Sequence, residues 1–292
     1  MDTLYQTDPG YFDSLFEGWG KYSTWLDDNS GNVKILDGSF YLPTESRDAD
    51  AEFADAHITG AQRFNIDVVC ASDTDLPHMF PDPITFADAV GAMGISNDDM
   101  IIVYDGGKMT GACRVWWMFR AFGHNKVAVL DGGFSKWTAE GRIVANTATK
   151  PPPAKFCSDY QDQMVRSVHH MLDLIDKDGE TQILDARGVG RFDGTEAEPR
   201  AGLRSGHMPG AMNLPYDRLL NAEGTLRSTE QLQDLFGEAG VDLNQPIVTT
   251  CGSGVSAALL LLGLVAIGHD ANMLYDGSWS EWGSRDDTSI VT

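Results

Sequence analysis

The stretch PIVTTCGSGVSAALLLLGLVAIG, residues 246–268, sets a cysteine between a short apolar run and a long one. The first run has the length of a strand and the second that of a helix, with Gly268 in the place of a helix C-cap glycine. Gly252 and Gly254 break the chain between them. Strand, glycine-rich loop and helix in succession suit an α/β fold, a parallel sheet flanked by helices. Ligands of such sheets bind beyond the carboxyl ends of the strands, which is where Cys251 falls. A free cysteine is also among the most buried residue types. Cys251 is therefore either a core residue or a nucleophile held up by the backbone around it.

The same alternation runs through the chain. NVKILDGSF (32–40), MIIVYDG (100–106) and KVAVLDGG (126–133) read as buried strands ending in Asp-Gly turns, and so does TQILDA (181–186). CRVWWMFRAFG (113–123) reads as a helix ending at a glycine. STEQLQDLFGEAG (228–240) opens with Ser228 and carries Gln231 three residues on, a capping-box pattern. The Trp116/Trp117 pair and Leu259–Leu262 are expected in the core.

Working outward, the chain repeats itself. ILDGSF at 35–40 resembles ILDARG at 183–188, and HITGA at 57–61 resembles HMPGA at 207–211. IIVYDGG at 101–107 resembles IVTTCGS at 247–253, and LDGGFSKW at 130–137 resembles YDGSWSEW at 275–282. The pairs occur in one order with offsets of 148, 150, 146 and 145 residues, which implies a duplicated domain. Pro151, Pro152 and Pro153 favour an extended linker. The expected organisation is a first domain over 1–147, a Pro-rich linker over 148–157 and a second domain over 158–292. Asp105 occupies in the first half the position of Cys251 in the second, so the first half is expected to be non-catalytic.

Composition excludes several classes. A formal charge of −22 in 292 residues argues against nucleic-acid and anionic-membrane surfaces, which call for basic patches. Cys70, Cys113, Cys157 and Cys251 form no C-x-x-C pair, so neither a disulfide framework nor a metal site is expected. The run Ala257–Ile267, interrupted by Gly263, is shorter than the roughly 20 residues of a membrane span. MDTLYQTDPGYFDSLFEGWG has no basic segment followed by an apolar one, so no secretory signal is expected. The cytoplasm is the default compartment, with the mitochondrion as the alternative.

The loop after Cys251 suits an anion. Its glycines let successive N–H groups turn into a common cup, and the following helix N-terminus adds positive potential. Both favour thiolate over thiol, and Cys70, Cys113 and Cys157 lack this setting. A cysteine phosphatase would need an arginine six residues after the cysteine, where Ala257 stands. No Lys or Arg occurs from Cys251 through His269. Sulfur transfer needs only a thiolate and a cup that stabilises a persulfide.

CGSGVSA (251–257) resembles the active loop of the 3-mercaptopyruvate sulfurtransferase family within the rhodanese superfamily. RVWWMFRAFGH, GRFDGTEAEPR, SGHMPGA and YDGSWSEWGS are similar to further landmarks of that family, so the resemblance runs from about residue 33 to 285. It implies two tandem rhodanese-like domains with catalysis in the second. Related thiosulfate sulfurtransferases usually carry basic residues inside the loop. Gly252 and Ser253 stand there in this chain, which favours mercaptopyruvate as donor. Ser256 departs from the family's usual threonine but keeps the hydroxyl.

The resemblance also implies site residues. Cys251 is the nucleophile, and Gly252, Gly254, Val255 and Ser256 form the cup. Arg191 and Arg200 bind the donor's carboxylate and ketone, with Arg187 and Arg204 as nearby competitors. A Ser253–His78–Asp67 relay would assist proton transfer, and would require the first domain to contribute to a cleft. His57 and His207 recur in both halves, so they are expected to be structural. The implied reaction is a double displacement through a Cys251 persulfide, releasing pyruvate and passing sulfur to a thiol, reduced thioredoxin or cyanide, with no cofactor. The alternatives are a thiosulfate sulfurtransferase and a non-catalytic persulfide carrier.

Overall fold

The computed structural model describes residues 33–42, 45–176 and 181–292; the signal-peptide reading of residues 1–20 lies outside them. The described chain forms two compact units. One holds the residues up to Ala71 with Phe80–Gln161 and Asn221–Leu226; the other holds Ser72–Met79, Asp162–Leu220 and Arg227–Thr292.

In the first unit the chain runs β1 (Val33–Asp37), α1 (Ala49–Asp55), β2 (His57–Ile58), β3 (Gln62–Arg63), α2 (Pro83–Ala92), β4 (Met100–Tyr104), α3 (Thr110–Ala121), β5 (Val127–Val129), α4 (Gly133–Ala139) and β6 (Val144–Ala145). β3-β1-β4-β5 form a parallel sheet, and β2 pairs β6 antiparallel. Ile35, Ile102 and Tyr104 meet Phe53, Leu130 and Trp137 on one face. Buried on both faces, these strands read as continuous apolar runs. α3 is buried along nearly its whole length, Trp116 and Trp117 included. It approaches β1 at Gly111, where a Cβ would stand 2.2 Å from the Gly38 carbonyl oxygen.

The Pro-rich stretch is extended and lies along the first unit. The Ala154 N–H donates to Gly91 O, and the Asp159 N–H to Phe122 O. Phe156 is buried against Phe86, Phe119 and His124. Residues 151–160 are therefore packed chain as much as connection.

The second unit repeats the plan: β7 (Val165–Arg166), α5 (Val168–Asp176), β8 (Gln182–Asp185), α6 (Val189–Phe192), β9 (Ala211–Asn213), α7 (Thr229–Glu238), β10 (Ile247–Thr250), α8 (Ala257–Ala266), β11 (Asn272–Tyr275) and α9 (Ser278–Trp282). Its sheet is parallel in the order β7-β11-β10-β8-β9. From β8 the chain passes to β9 on one side and returns to β10 on the other. The crevice at this switch point is a standard ligand position, and β10 delivers Cys251 to it.

Ser228 and Gln231 make the expected capping box at the start of α7. α8 is buried at every position. Gly263 lets it approach Leu219, which a Cβ would meet at 2.6 Å, so the residue that interrupts the apolar run is a packing glycine. Among the described residues no helix is long and apolar enough to cross a membrane.

Asp131 is a buried carboxylate in the first unit. It accepts the Leu226 N–H at 2.8 Å, and burial pushes its pKa up to about 7. Folding thus favours the protonated form. The associated stability is full below about pH 4, the unfolded-state value, and is lost as pH rises through about 7. Asp131→Asn keeps an acceptor for Leu226 and carries no charge. It should raise the unfolding free energy at pH 8 by on the order of 2 kcal/mol, with the gain shrinking as pH falls from 7 to 4. Denaturant melts at several pH values check this; a pH-independent difference would count against it.

Candidate active site

β10 ends at Thr250, the loop turns at Gly254 with φ +76°, and α8 begins at Ala257. The first turn of α9 holds the loop from the other side. The Trp279 N–H donates to Cys251 O at 3.0 Å, and the Ser280 N–H and hydroxyl both donate to Gly252 O at 2.8 and 2.7 Å. The Cys251 N–H donates to Ser278 Oγ at 3.2 Å. The Cys251 peptide is therefore fixed at both ends. The residue is 2% exposed, whereas the sequence reading expects an accessible sulfur. The difference arises because Cys251 ends a central strand and α9 is pinned across its carbonyl.

The equivalent junction in the first unit shows what such a loop binds. Asp105 follows β4 as Cys251 follows β10. Its Oδ1 accepts from the N–H groups of Gly107 and Met109 at 3.0 Å each. Its Oδ2 accepts from Gly111 and Ala112 at 3.1 and 3.3 Å. Burial raises the Asp105 pKa, and the backbone donors oppose that by favouring the anion. The loop and helix start thus converge four donors on one buried carboxyl group. Above Gly106 stands Arg47, whose Nη1 donates to Gly106 O at 3.1 Å and whose guanidinium is forked onto Glu52.

In the second unit the arginine above the loop is Arg191. A Cβ on Gly252 would meet its Nη2 at 3.0 Å, a tight contact that glycine avoids. Glu198, itself buried, orients Arg191 through Oε2 at 2.5 Å. Arg187 is fully buried. It is bidentate with Asp185, bonds Glu198 at 2.7 Å and lies 4.1 Å over the Trp279 ring. Arg204 donates to the carbonyls of Gly283, Trp282 and Thr288. Arg187 and Arg204 are thus committed to the fold. Arg191 stands over the loop, and Arg200 Nη2 lies 3.5 Å from His78 Nε2.

The relay residues divide between the units. Ser253 is buried in the loop and His78 is buried in the second unit, within Ser72–Met79. His78 holds a left-handed backbone, φ +56°, unusual outside glycine. Asp67 belongs to the first unit and is exposed. Val255 is buried and Ser256 half-buried at the start of α8. His57 and His207 play one part twice. Each stacks on a phenylalanine, Phe53 or Phe192, and turns Nδ1 to that residue's carbonyl. Cys113 is sealed in α3, where burial pushes its thiol well up. Among the described residues no three His, Cys, Asp or Glu side chains gather as a metal site.

Sequence reasoning did not single out Glu198 or Ser278. Glu198 lies inside the quoted GRFDGTEAEPR, but only the fold shows that it orients Arg191. Ser278 is visible as a difference between repeats, where LDGGFSKW has Gly133.

A rhodanese-like domain model matches residues 23–140 and again 167–285. This chain belongs to the rhodanese family. The rhodanese chain is 42% identical to the rat 3-mercaptopyruvate sulfurtransferase, over 87% of its own length and 86% of the rat protein's. It is 40% identical to the chicken thiosulfate sulfurtransferase, with 87% of each chain covered. The crystal structure of the 3-mercaptopyruvate sulfotransferase SseA from Escherichia coli superposes with a TM-score of 0.80 at 35% identity, covering 88% of this chain and 97% of that one. Both units of this rhodanese are thus α/β domains of that fold.

The two arginines near the loop should separate on mutation. Arg187→Ala leaves Asp185 buried without its bidentate partner and Glu198 with Arg191 alone, and should cost about 3–5 kcal/mol of stability. Arg191→Ala leaves Glu198 still paired to Arg187 and should cost less than about 1 kcal/mol. Thermal and urea unfolding of the two variants check the contrast; equal losses would contradict the assignment.

Proposed function

We propose that this rhodanese moves sulfur from 3-mercaptopyruvate to a thiol or to cyanide through a persulfide on Cys251. One observation carries the reading. The strand–loop–helix junction gathers four backbone donors onto a carboxyl group in the first unit, and the same junction in the second unit holds a cysteine beneath Arg191. The loop there contains no Lys or Arg, which suits a donor with one carboxylate more than a dianion.

In the first half-reaction the Cys251 thiolate attacks the donor sulfur. The S–S bond forms as the donor's C–S bond breaks, and the electron pair goes to carbon as the enolate of pyruvate. Protonation at carbon gives pyruvate and leaves Cys251 as a persulfide. Arg191 and Arg200 suit the donor's carboxylate and ketone oxygens, since the planar fork of arginine matches both. Enolate formation is eased by any group that stabilises the developing oxyanion, the role proposed for these guanidiniums. His78, beside Arg200, and Ser253 are the groups proposed to move the proton, with Asp67 as their third member. The persulfide anion takes the place that the Asp105 carboxylate takes in the first unit. In the second half-reaction an acceptor thiolate or cyanide attacks the outer sulfur and Cys251 leaves as thiolate. A reduced protein thiol of the thioredoxin type is the proposed natural acceptor. All four cysteines are free thiols, in keeping with a reducing compartment such as the cytoplasm.

The likeness to a thiosulfate sulfurtransferase gives the second reading, in which thiosulfate is the donor. Sulfur transfer to cyanide should show a higher kcat/KM with 3-mercaptopyruvate than with thiosulfate; the reverse order would assign the other donor. Donor alone should add one sulfur atom to the Cys251 peptide by mass. Cys251→Ser should lower transfer more than about a thousandfold. Arg191→Ala should raise KM about tenfold. Full activity in the serine variant would end the mechanism.

A further inference from the structure

Ser278 begins α9 with φ +47°, a left-handed backbone that is costly for any residue with a side chain. Its counterpart in the repeat is Gly133, which begins α4 with φ +52°. The turn is thus the same in both units, and glycine meets it without strain in the first. There the turn has closed on the strand end. A Cβ on Gly133 would lie 2.3 Å from Asp105 O, and the Phe134 N–H donates to that oxygen at 2.9 Å. In the second unit the turn carries a side chain, and the Trp279 N–H still reaches Cys251 O at 3.0 Å. The strained serine therefore occurs in the half that carries the cysteine.

The side chain has a defined task. Ser278 is fully buried. Its hydroxyl donates to Tyr275 O at 2.9 Å and accepts from the Cys251 N–H at 3.2 Å and the Thr250 hydroxyl at 3.3 Å. One donor and two acceptor sites are the whole capacity of a hydroxyl. The bridge adds a rung between β10 and β11 just past their ends, at the residue that bears the nucleophile. Trp279 and Ser280 hold the carbonyls of Cys251 and Gly252, but Ser278 holds the Cys251 N–H.

We propose that Ser278 is the positioning residue of the nucleophile, its hydroxyl fixing the Cys251 peptide so that the sulfur faces the loop's donors. The strain at Ser278 is the cost of carrying that hydroxyl. This inference rests on the reading of Cys251 as the sulfur-accepting nucleophile.

The test uses the full chain with Ser278→Gly, which relieves the backbone, and Ser278→Ala, which removes the hydroxyl alone. Two readouts are taken: transfer from 3-mercaptopyruvate to cyanide, and alkylation of Cys251 by iodoacetamide at pH 7, followed on its peptide by mass. Near-UV circular dichroism selects the variants that are folded at assay temperature, and the glycine variant carries the test if the alanine one is not. The expected result is a kcat about tenfold lower, KM within about twofold, and slower alkylation in the folded variants. Wild-type kcat and wild-type alkylation would overturn the inference. So would a lower kcat with unchanged alkylation, which would place Ser278 with the substrate and not the nucleophile. If the wild type transfers no sulfur, the catalytic reading of Cys251 falls, and alkylation alone then decides for or against Ser278.

Discussion

A peptide N–H that is buried must find an acceptor, and this structure is organised around where the last ones go. A parallel strand followed closely by a helix leaves several donors pointing at one place. No backbone carbonyl can serve them all, so an anion is the natural partner. The first unit answers them from its own sequence, with the two carboxyl oxygens of Asp105. In the second unit the corresponding group is a cysteine sulfur. The duplication preserves the demand and changes the group that answers it.

The arginines show how local chemistry is made in an acidic chain. With a net charge of −22, a free guanidinium has many carboxylates to choose from. Arg187 is consumed by Asp185 and Glu198 in the core. Arg187 holds Glu198 in place from one side, and Glu198 then aims Arg191 over Gly252. The placement of Arg191 thus depends on a salt-bridge chain whose inner members are buried in the core. The first unit builds a shallower version with Arg47 and Glu52, stacked on Tyr41 at 3.8 Å.

Much of this was legible in the residues. The repeat, the buried strands, the glycine-capped helices and the capping box at Ser228 depend on local pattern, and the structure has them. So does the pairing of Asp105 with Cys251, because repeats keep register. Less legible was anything set by contacts distant in sequence. The segment Ser72–Met79 belongs to the second unit although it lies within the first half of the chain, and no periodicity encodes that. The short strands β7 and β9 carry too few residues to show a period. The burial of Cys251 follows from α9 crossing its carbonyl, a contact 28 residues away. Arg187 and Arg204 look like Arg191 in sequence, and only their partners distinguish them.

Helix α8 has no solvent-facing side, and Gly263 seats it against Leu219 and Phe236. A helix of that kind cannot fray or slide independently of the sheet. Buried helices of this kind supply the slowest-exchanging amides of a domain, those that open only with the whole unit. The Cys251 loop is spliced directly onto its first turn. Cys251 therefore hangs from an entirely buried helix, so the proposed sulfur-carrying position belongs to the part of the unit that local opening reaches last.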